Sequence, residues 1–343
     1  MTTTEPELTG PVDLCLPDGR RLNLRACGWS RRPLHRANLA GSWGRTKKWD
    51  YWAVLTDDVV VSVTVADIDY LGLVGVEWID LVSHRSGGRT VTVPLARGVD
   101  LPALAGTGRL THHSRRLDLD VAYLPDATHL SASWTGADGT SGSLDVAVAD
   151  PAAHDSLNVV IPWTDTRFQY TSKHQARRAT GALAIGDRTV RLGGGTGEAW
   201  GVFDAGRGRW PYRTTWNWAG GAGRTAGGAV VGLQFGGKWT DGTGFTENGV
   251  IVDGRLIKIG ADLIWEYEWS DPMAPWRVRS PDGALDVTLT VVHDRHARTG
   301  AGLVSTEVHQ VFGHWNGVIP AHPGRSDRID GVLGFAEESR SRW

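Results

Sequence analysis

The segment DDVVVSVTVAD sets Val59, Val61, Val63 and Val65 at alternate positions, with Ser62 and Thr64 between them. A period of two is that of a β-strand with one face on a core and the other polar. The alternation returns in DLIWEYEW, where Trp265, Tyr267 and Trp269 oppose Ile264, Glu266 and Glu268, and again in ALDVTLTVV after a PDG turn. VIVDGRLIKIG reads as a hairpin, because Asp253–Gly254 supplies the positive φ of a two-residue turn. PDGRRLNLRA and AIGDRTVRLG have the same form, and a hairpin centred on Asp18–Gly19 would set Cys15 near Leu22. No segment holds a long helical period, and PAAHDSLN has room for one short turn. Many short strands at hairpin spacing predict an all-β protein, a barrel or a sandwich.

Length turns this into a two-unit expectation. The 343 residues exceed what one core usually serves, roughly 250–300. Pro151 and Pro162 break the strand rhythm in VADPAAHDSLNVVIPW. The expected division is residues 1–155 and 156–343, each near the size of one barrel domain. The tail DRIDGVLGFAEESRSRW reads as a final strand pair that folds back, since VLGF is apolar enough to pack.

Charge and composition narrow the partners. A net charge of -2 gives no electrostatic basis for a nucleic-acid partner. No segment approaches the roughly 20 apolar residues of a membrane-spanning helix, so no integral membrane insertion is expected. The first residues, MTTTEPELTGPVDLCLPDG, lack the basic and apolar regions of a secretory signal, which points to a cytoplasmic location. Cys15 and Cys27 would not face each other across the PDG turn, so no disulfide is expected, and two cysteines make no zinc set.

The chain has 17 tryptophans, three of them in GRGRWPYRTTWNWAGG. In an extended strand Trp210, Tyr212, Trp216 and Trp218 share one face, while Arg209, Arg213 and Asn217 share the other. Pro211 can interrupt this strand, so that the parity starts only after Tyr212. The aromatic row, with Trp200 just upstream, would wall a pocket for a flat apolar ligand or pack one barrel on another. Asp204, in VFDAGRGRW, is the candidate general acid. An apolar, tryptophan-lined site would raise its pKa, whereas a turn role or pairing with Arg207 or Arg209 would hold it as an anion. His174, in TSKHQARR, is a candidate helper or a satisfied structural histidine.

Glu247 and Asn248 in GTGFTENGV are either turn residues or a polar pair at a pocket rim. His309, in STEVHQVFGHWNG, is a further candidate ligand contact. His293 and His296 lie three apart in HDRH and so fall on opposite strand faces, and His112 and His113 also split. No metal site is therefore expected. Trp43, Trp49, Tyr51 and Trp52 beside Arg45, Lys47 and Lys48 could form a basic aromatic rim or simply pack in a loop. There is no P-loop and no Gly-x-Ser-x-Gly elbow, and GGGTGEAWG lies between strands rather than opening a helix. No cofactor is expected.

Taken together, IPWTDTRFQYTSKHQARRATGALAIGD, GVFDAGRGRWPYRTTWNWAGG, KWTDGTGFTENGVIVDGRLIKI and VHQVFGHWNGV resemble one bacterial domain-of-unknown-function family from about Leu34 to Trp343. The order Tyr-x-Ser, glycine-centred hairpin, Trp-x-x-x-Asp, Trp-x-Trp and a GG turn, over about residues 165–235, is similar to the AttH and hydroxyneurosporene-synthase group. That resemblance implies two lipocalin-like β-barrels and, in some members, cofactor-free hydration or cyclisation of isoprenoid and polyene substrates. It puts Asp204 at the position of the proposed acid and His174 at the upstream histidine. The residues after Asp204, AGRGRWPY, differ from the group's pattern.

The resulting expectation is a double-barrel protein that binds a small hydrophobic ligand such as a lipid, isoprenoid or polyketide. The first alternative is a hydratase, cyclase or isomerase that uses Asp204. The second is a structural or stress-related interaction protein whose aromatics are all core.

Overall fold

The alternation seen at Val59–Val65 builds nearly the whole chain. The computed structural model describes residues 5–195, 197–301, 304–322 and 324–342, and among these its only helix is the 3-10 turn Leu24–Ala26. The local hairpins form as their turn residues dictate. Asp253 and Gly254 take φ of 45° and 78° between the paired Val252 and Arg255. Ile185 pairs with Arg188, and Cys15 bridges to Leu22. Both cysteines are free.

The strands gather into a 13-stranded sheet and a 9-stranded sheet, beside a two-stranded pair. At the centre of the larger sheet, Thr46–Leu55, Trp200–Arg209 and Phe168–Ile185 lie side by side. Its outer strands curl round to share one core: Val74 and Val76 pack in the same cluster as Leu119, Val121 and Leu130. The smaller sheet runs from Arg255–Ile259 through Asn248–Val252, Val230–Gly237, Arg213–Arg224, Arg325–Arg342, Val304–His322 and Asp286–Ala301 to Trp276–Arg279 and Ile264–Glu266. Ile257 from one end and Trp276 and Val278 from the other meet in its own core. The molecule is therefore all-β, with two curled half-barrels packed together, as the strand pattern predicts.

Two interior clusters join the sheets. Ala53, Leu55, Val60 and Val202 of the first pack on Trp218, Phe312, Leu333 and Phe335 of the second. Trp29, Leu157, Val159, Ile161 and Trp210 pack on Trp239, Ile251 and Leu256. This seam explains a departure from the half-buried strand expected at Val59–Asp67. Val59, Val61, Val63 and Val65 face the first core, but Val60 is also buried, in the seam. A sheet lying between its own core and a second sheet needs apolar residues on both faces.

The change of sheet falls between Arg209 and Arg213. The division expected near residue 155 lies in the connection from Ser141–Ala149 to Leu157–Pro162, two strands of the same sheet. The tail is one long strand, Arg325–Arg342, rather than a strand pair. No helix among the described residues is long and apolar enough to cross a membrane.

Candidate functional site

Two polar constellations stand out: one inside the seam and one at the open end of the second sheet. In the seam, antiparallel register sets Lys173 opposite Asp204, so both side chains leave the first sheet on the seam face. Lys173 Nζ lies 2.9 Å from Asp204 Oδ1 and 3.3 Å from Glu247 Oε2, and 4.4 Å from the Trp218 ring centroid. Asp204 also accepts from Thr171 Oγ1 and Trp49 Nε1, both at 3.2 Å. Glu247 accepts from Trp239 Nε1 at 2.7 Å. Gly236 permits this approach, since a Cβ there would lie 2.1 Å from Glu247 Oε1. Nearby, Glu337 accepts from Trp216 Nε1 and Gln310 Nε2, each at 2.9 Å.

Burial sets the protonation of this group. It pushes Glu247 up to about 7, with the Asp204 charge adding to the rise and Lys173 opposing it. Glu337 is likewise pushed up to about 7 by burial. Burial pulls the Lys173 ammonium down, but Asp204 and Glu247 together outweigh it and hold the pKa above its ordinary value. The arrangement is a Lys173–Asp204 ion pair flanked by two carboxyl groups that can hold protons near neutrality.

The expected partners of Asp204 lie elsewhere. Arg207 and Arg209 alternate to the opposite face. Arg207 pairs with Asp50 at 2.8 Å and donates to Trp49 O at 2.6 Å. Arg209 is buried and donates to the carbonyls of Gly19, Ala40 and Arg20, so it clips the first turns to the sheet. His174 sits opposite Phe203, not Asp204, and packs edge-on against that ring at 5.1 Å. It contacts Ser172 Oγ at 3.1 Å, and burial holds its pKa well below the ordinary histidine value. Asp204 and His174 therefore do not share a site. Asn248 accepts from Gly236 N–H and donates to Ala261 O. Trp200 is buried under Arg178, at the far end of its strand.

The aromatic row forms the seam. Trp210 contacts Trp49, Trp163, Trp216 and Trp239, with the Trp239 ring stacked at 5.7 Å. Trp218 packs on Tyr51 and Phe335. Tyr212 lies outside this row, 5.7 Å from the Arg45 guanidinium. Of the basic aromatic rim, Lys47 is buried and donates to Ile68 O, whereas Trp43 is exposed. None of five clefts on the described residues is lined by Lys173, Asp204 or Glu247.

The second constellation grows from four adjacent strands of the second sheet. Asp294, Val311, Ala336 and Ala219 stand in register, and the last three belong to its core. Two residues further along each strand, on the same concave face, stand His296, His309, Glu338 and Asn217. The next row is Arg298, Glu307, Arg340 and Thr215, and the last is Gly300, Ser305, Arg342 and Arg213. The core thus opens into a polar mouth.

Trp265, Tyr267 and Trp269 wall a cleft of about 490 Å³ here, with Asn217, Lys238, Glu338 and Arg340. These are the aromatic positions of the DLIWEYEW alternation, although the ladder itself covers only Ile264–Glu266. Tyr267 Oη donates to Glu338 and accepts from Lys238 Nζ at 2.7 Å and Asn217 Nδ2 at 2.9 Å. Lys238 adopts a φ of 65°, a left-handed conformation uncommon for lysine. Arg340 lies 3.7 Å from the Trp269 ring centroid. It also lines a second cleft, of about 670 Å³, with Arg213, Arg298, Arg342 and Glu307.

At the border of the two clefts, His296, Glu307 and His309 bring one ligand atom each within 4.8 Å of one another. The expectation of no metal site rests on spacing within a single strand. The spacing argument separates His293 from His296, but the pair that forms is His296 with His309 across the ladder. Of the residues singled out in the sequence, the seam unites Asp204, Glu247, Trp216 and Trp218. The mouth unites Arg213, Asn217 and His309. Lys173, Lys238, Tyr267, Glu338 and Arg340 emerge only from strand pairing.

Among curated proteins, none matches the sequence. Solved structures similar to this chain include kievitone hydratase from Nectria haematococca, at 9% identity and TM-score 0.46 over 87% of this chain and 89% of that one. CghA crystallised with Sch210972 is similar at 11% identity and TM-score 0.42, over 87% and 89%. An AttH-type protein from Nitrosomonas europaea is similar at 13% identity and TM-score 0.43, over 88% and 94%. The family model for the domain of unknown function DUF2804 matches residues 5–343, and the chain belongs to that family.

Proposed function

We propose that this protein binds a small amphipathic molecule at the mouth of the second sheet, with its apolar body on Trp265, Tyr267 and Trp269 and an acidic head toward the arginines. One observation carries the reading: Arg340 lines both the aromatic-walled cleft and the arginine-lined cleft, so the two form neighbouring subsites. Apolar burial on the aromatic wall would supply about 25 cal/mol per Å². Arg213, Arg298 and Arg342, all exposed, suit a carboxylate, sulfonate or phosphate head.

The test is titration with anilinonaphthalene sulfonate, which combines an aromatic body with an anionic head. Saturable one-to-one binding is expected, weakened about tenfold or more by Trp269→Ala and by Arg340→Ala, each a loss near 1.4 kcal/mol or above. Equal affinity in both folded variants would overturn the reading.

A second reading, proton transfer at the seam, is favoured by Glu247 lying at about 7 beside the Lys173–Asp204 pair. Here Glu247 is the proton donor and Asp204 anchors Lys173. It ranks second because none of the five clefts above is lined by these groups. Deuterium incorporation from D2O into a polyene or isoprenoid alkene, lost in Glu247→Gln, would support it. No incorporation by the wild type would dismiss it for those substrates.

A further inference from the structure

We propose that His296, Glu307 and His309 form a three-ligand site for a zinc-class divalent cation, with Asp294 as a positioning residue. The ladder sets His296 directly opposite His309, and Glu307 lies two residues from His309 on the same face. The two imidazoles are parallel, 4.2 Å apart with 3° between their planes. His296 Nε2 lies 3.0 Å from Glu307 Oε1, so a nitrogen and an oxygen donor already point at one another. Two imidazoles and one carboxylate match the donor set of open zinc sites, in which a fourth position is left to water or ligand.

The surroundings supply an independent observation. His309 Nδ1 donates to Asp294 Oδ2 at 2.9 Å, which leaves Nε2 with its lone pair free for a metal. A carboxylate behind a histidine in this way fixes the tautomer and orients the ring of a metal ligand. Asp294 Oδ1 is buried and has no hydrogen-bond partner among the described residues. The Trp269 ring packs edge-on against His309 at 4.5 Å and limits its rotation. The outer side is open: the His296 side chain is 46% exposed, that of His309 12%. Arg298 and Arg340 flank Glu307 across the ladder, so their charges oppose the cation while Asp294 and Glu338 favour it.

This inference stands apart from the ligand-binding reading, because its probe is the metal alone. Cobalt(II), a spectroscopic substitute for zinc, is titrated into the metal-free full-length protein, and zinc is then used to displace it. The expected result is one equivalent bound with visible ligand-field bands, lost in His296→Gln, in His309→Gln and in Glu307→Gln. Asp294→Asn should retain the bands but weaken binding by about 10–100-fold. Absence of saturable binding by the wild type would overturn the proposal. So would equal affinity in the folded His296→Gln/His309→Gln double variant.

Discussion

Lys173 is buried between Asp204 of the first sheet and Glu247, which directly precedes a strand of the second, and the charge balance of the seam follows from that position. Asp204 is enough to neutralise it, so Glu247 is the extra acid. Burial raises Glu247 from its ordinary value of 4.5 to about 7. The folded chain then binds more protons there than the unfolded chain does. This contribution is most favourable below about pH 4.5, and stability falls as pH rises toward 7. Glutamine in place of Glu247 keeps the acceptor for Trp239 and removes the titration. Urea unfolding should show the Glu247→Gln variant gaining on the wild type between pH 5 and pH 8, by on the order of 2 kcal/mol. A pH-independent difference would count against a raised Glu247. Asp204 was legible in the sequence as the acid of VFDAGRGRW and of the Trp-x-x-x-Asp pattern. Its partner was not, because His174 is the more conspicuous neighbour and only the strand register gives Lys173 to the face of Asp204.

The Trp200–Arg209 strand carries apolar, charged and glycine positions that make sense only between two packed layers. Gly206 faces the seam, where a Cβ would come 2.2 Å from the Trp49 ring and 2.4 Å from Gln169. Gly206→Ala should therefore cost about 1–3 kcal/mol and disturb the Trp49–Asp204 bond. A denaturation midpoint unchanged from wild type would show that the seam yields there. Elements closed by local turns were legible: Asp253–Gly254 and the Cys15–Leu22 bridge formed as their residues dictate. The parity of Trp216 and Trp218 also holds, and both lie in the seam. The histidine pair was not legible, since a rule about spacing within one strand cannot see a cross-strand partner. Its register is carried by the ladder that runs from Ala301 and Val304 to His296 and His309.

At the scale of the molecule, the two sheets share apolar clusters, the Lys173–Glu247 pair and the Arg295–Glu77 pair. Calorimetry should show a single cooperative unfolding transition, with equal calorimetric and van't Hoff enthalpies. Two separated transitions would mean that the seam contributes little. The prolines at 151 and 162 mark a break in rhythm, but they cannot report that Leu157–Pro162, Phe168–Ile185 and Trp200–Arg209 stay in the first sheet. The most direct test of this account is a crystal structure of the protein with anilinonaphthalene sulfonate. The account predicts the rings against Trp265 or Trp269 and the sulfonate within hydrogen-bond reach of Arg340 or its neighbouring arginines. The dye bound in the seam or elsewhere, with the mouth empty, would contradict it.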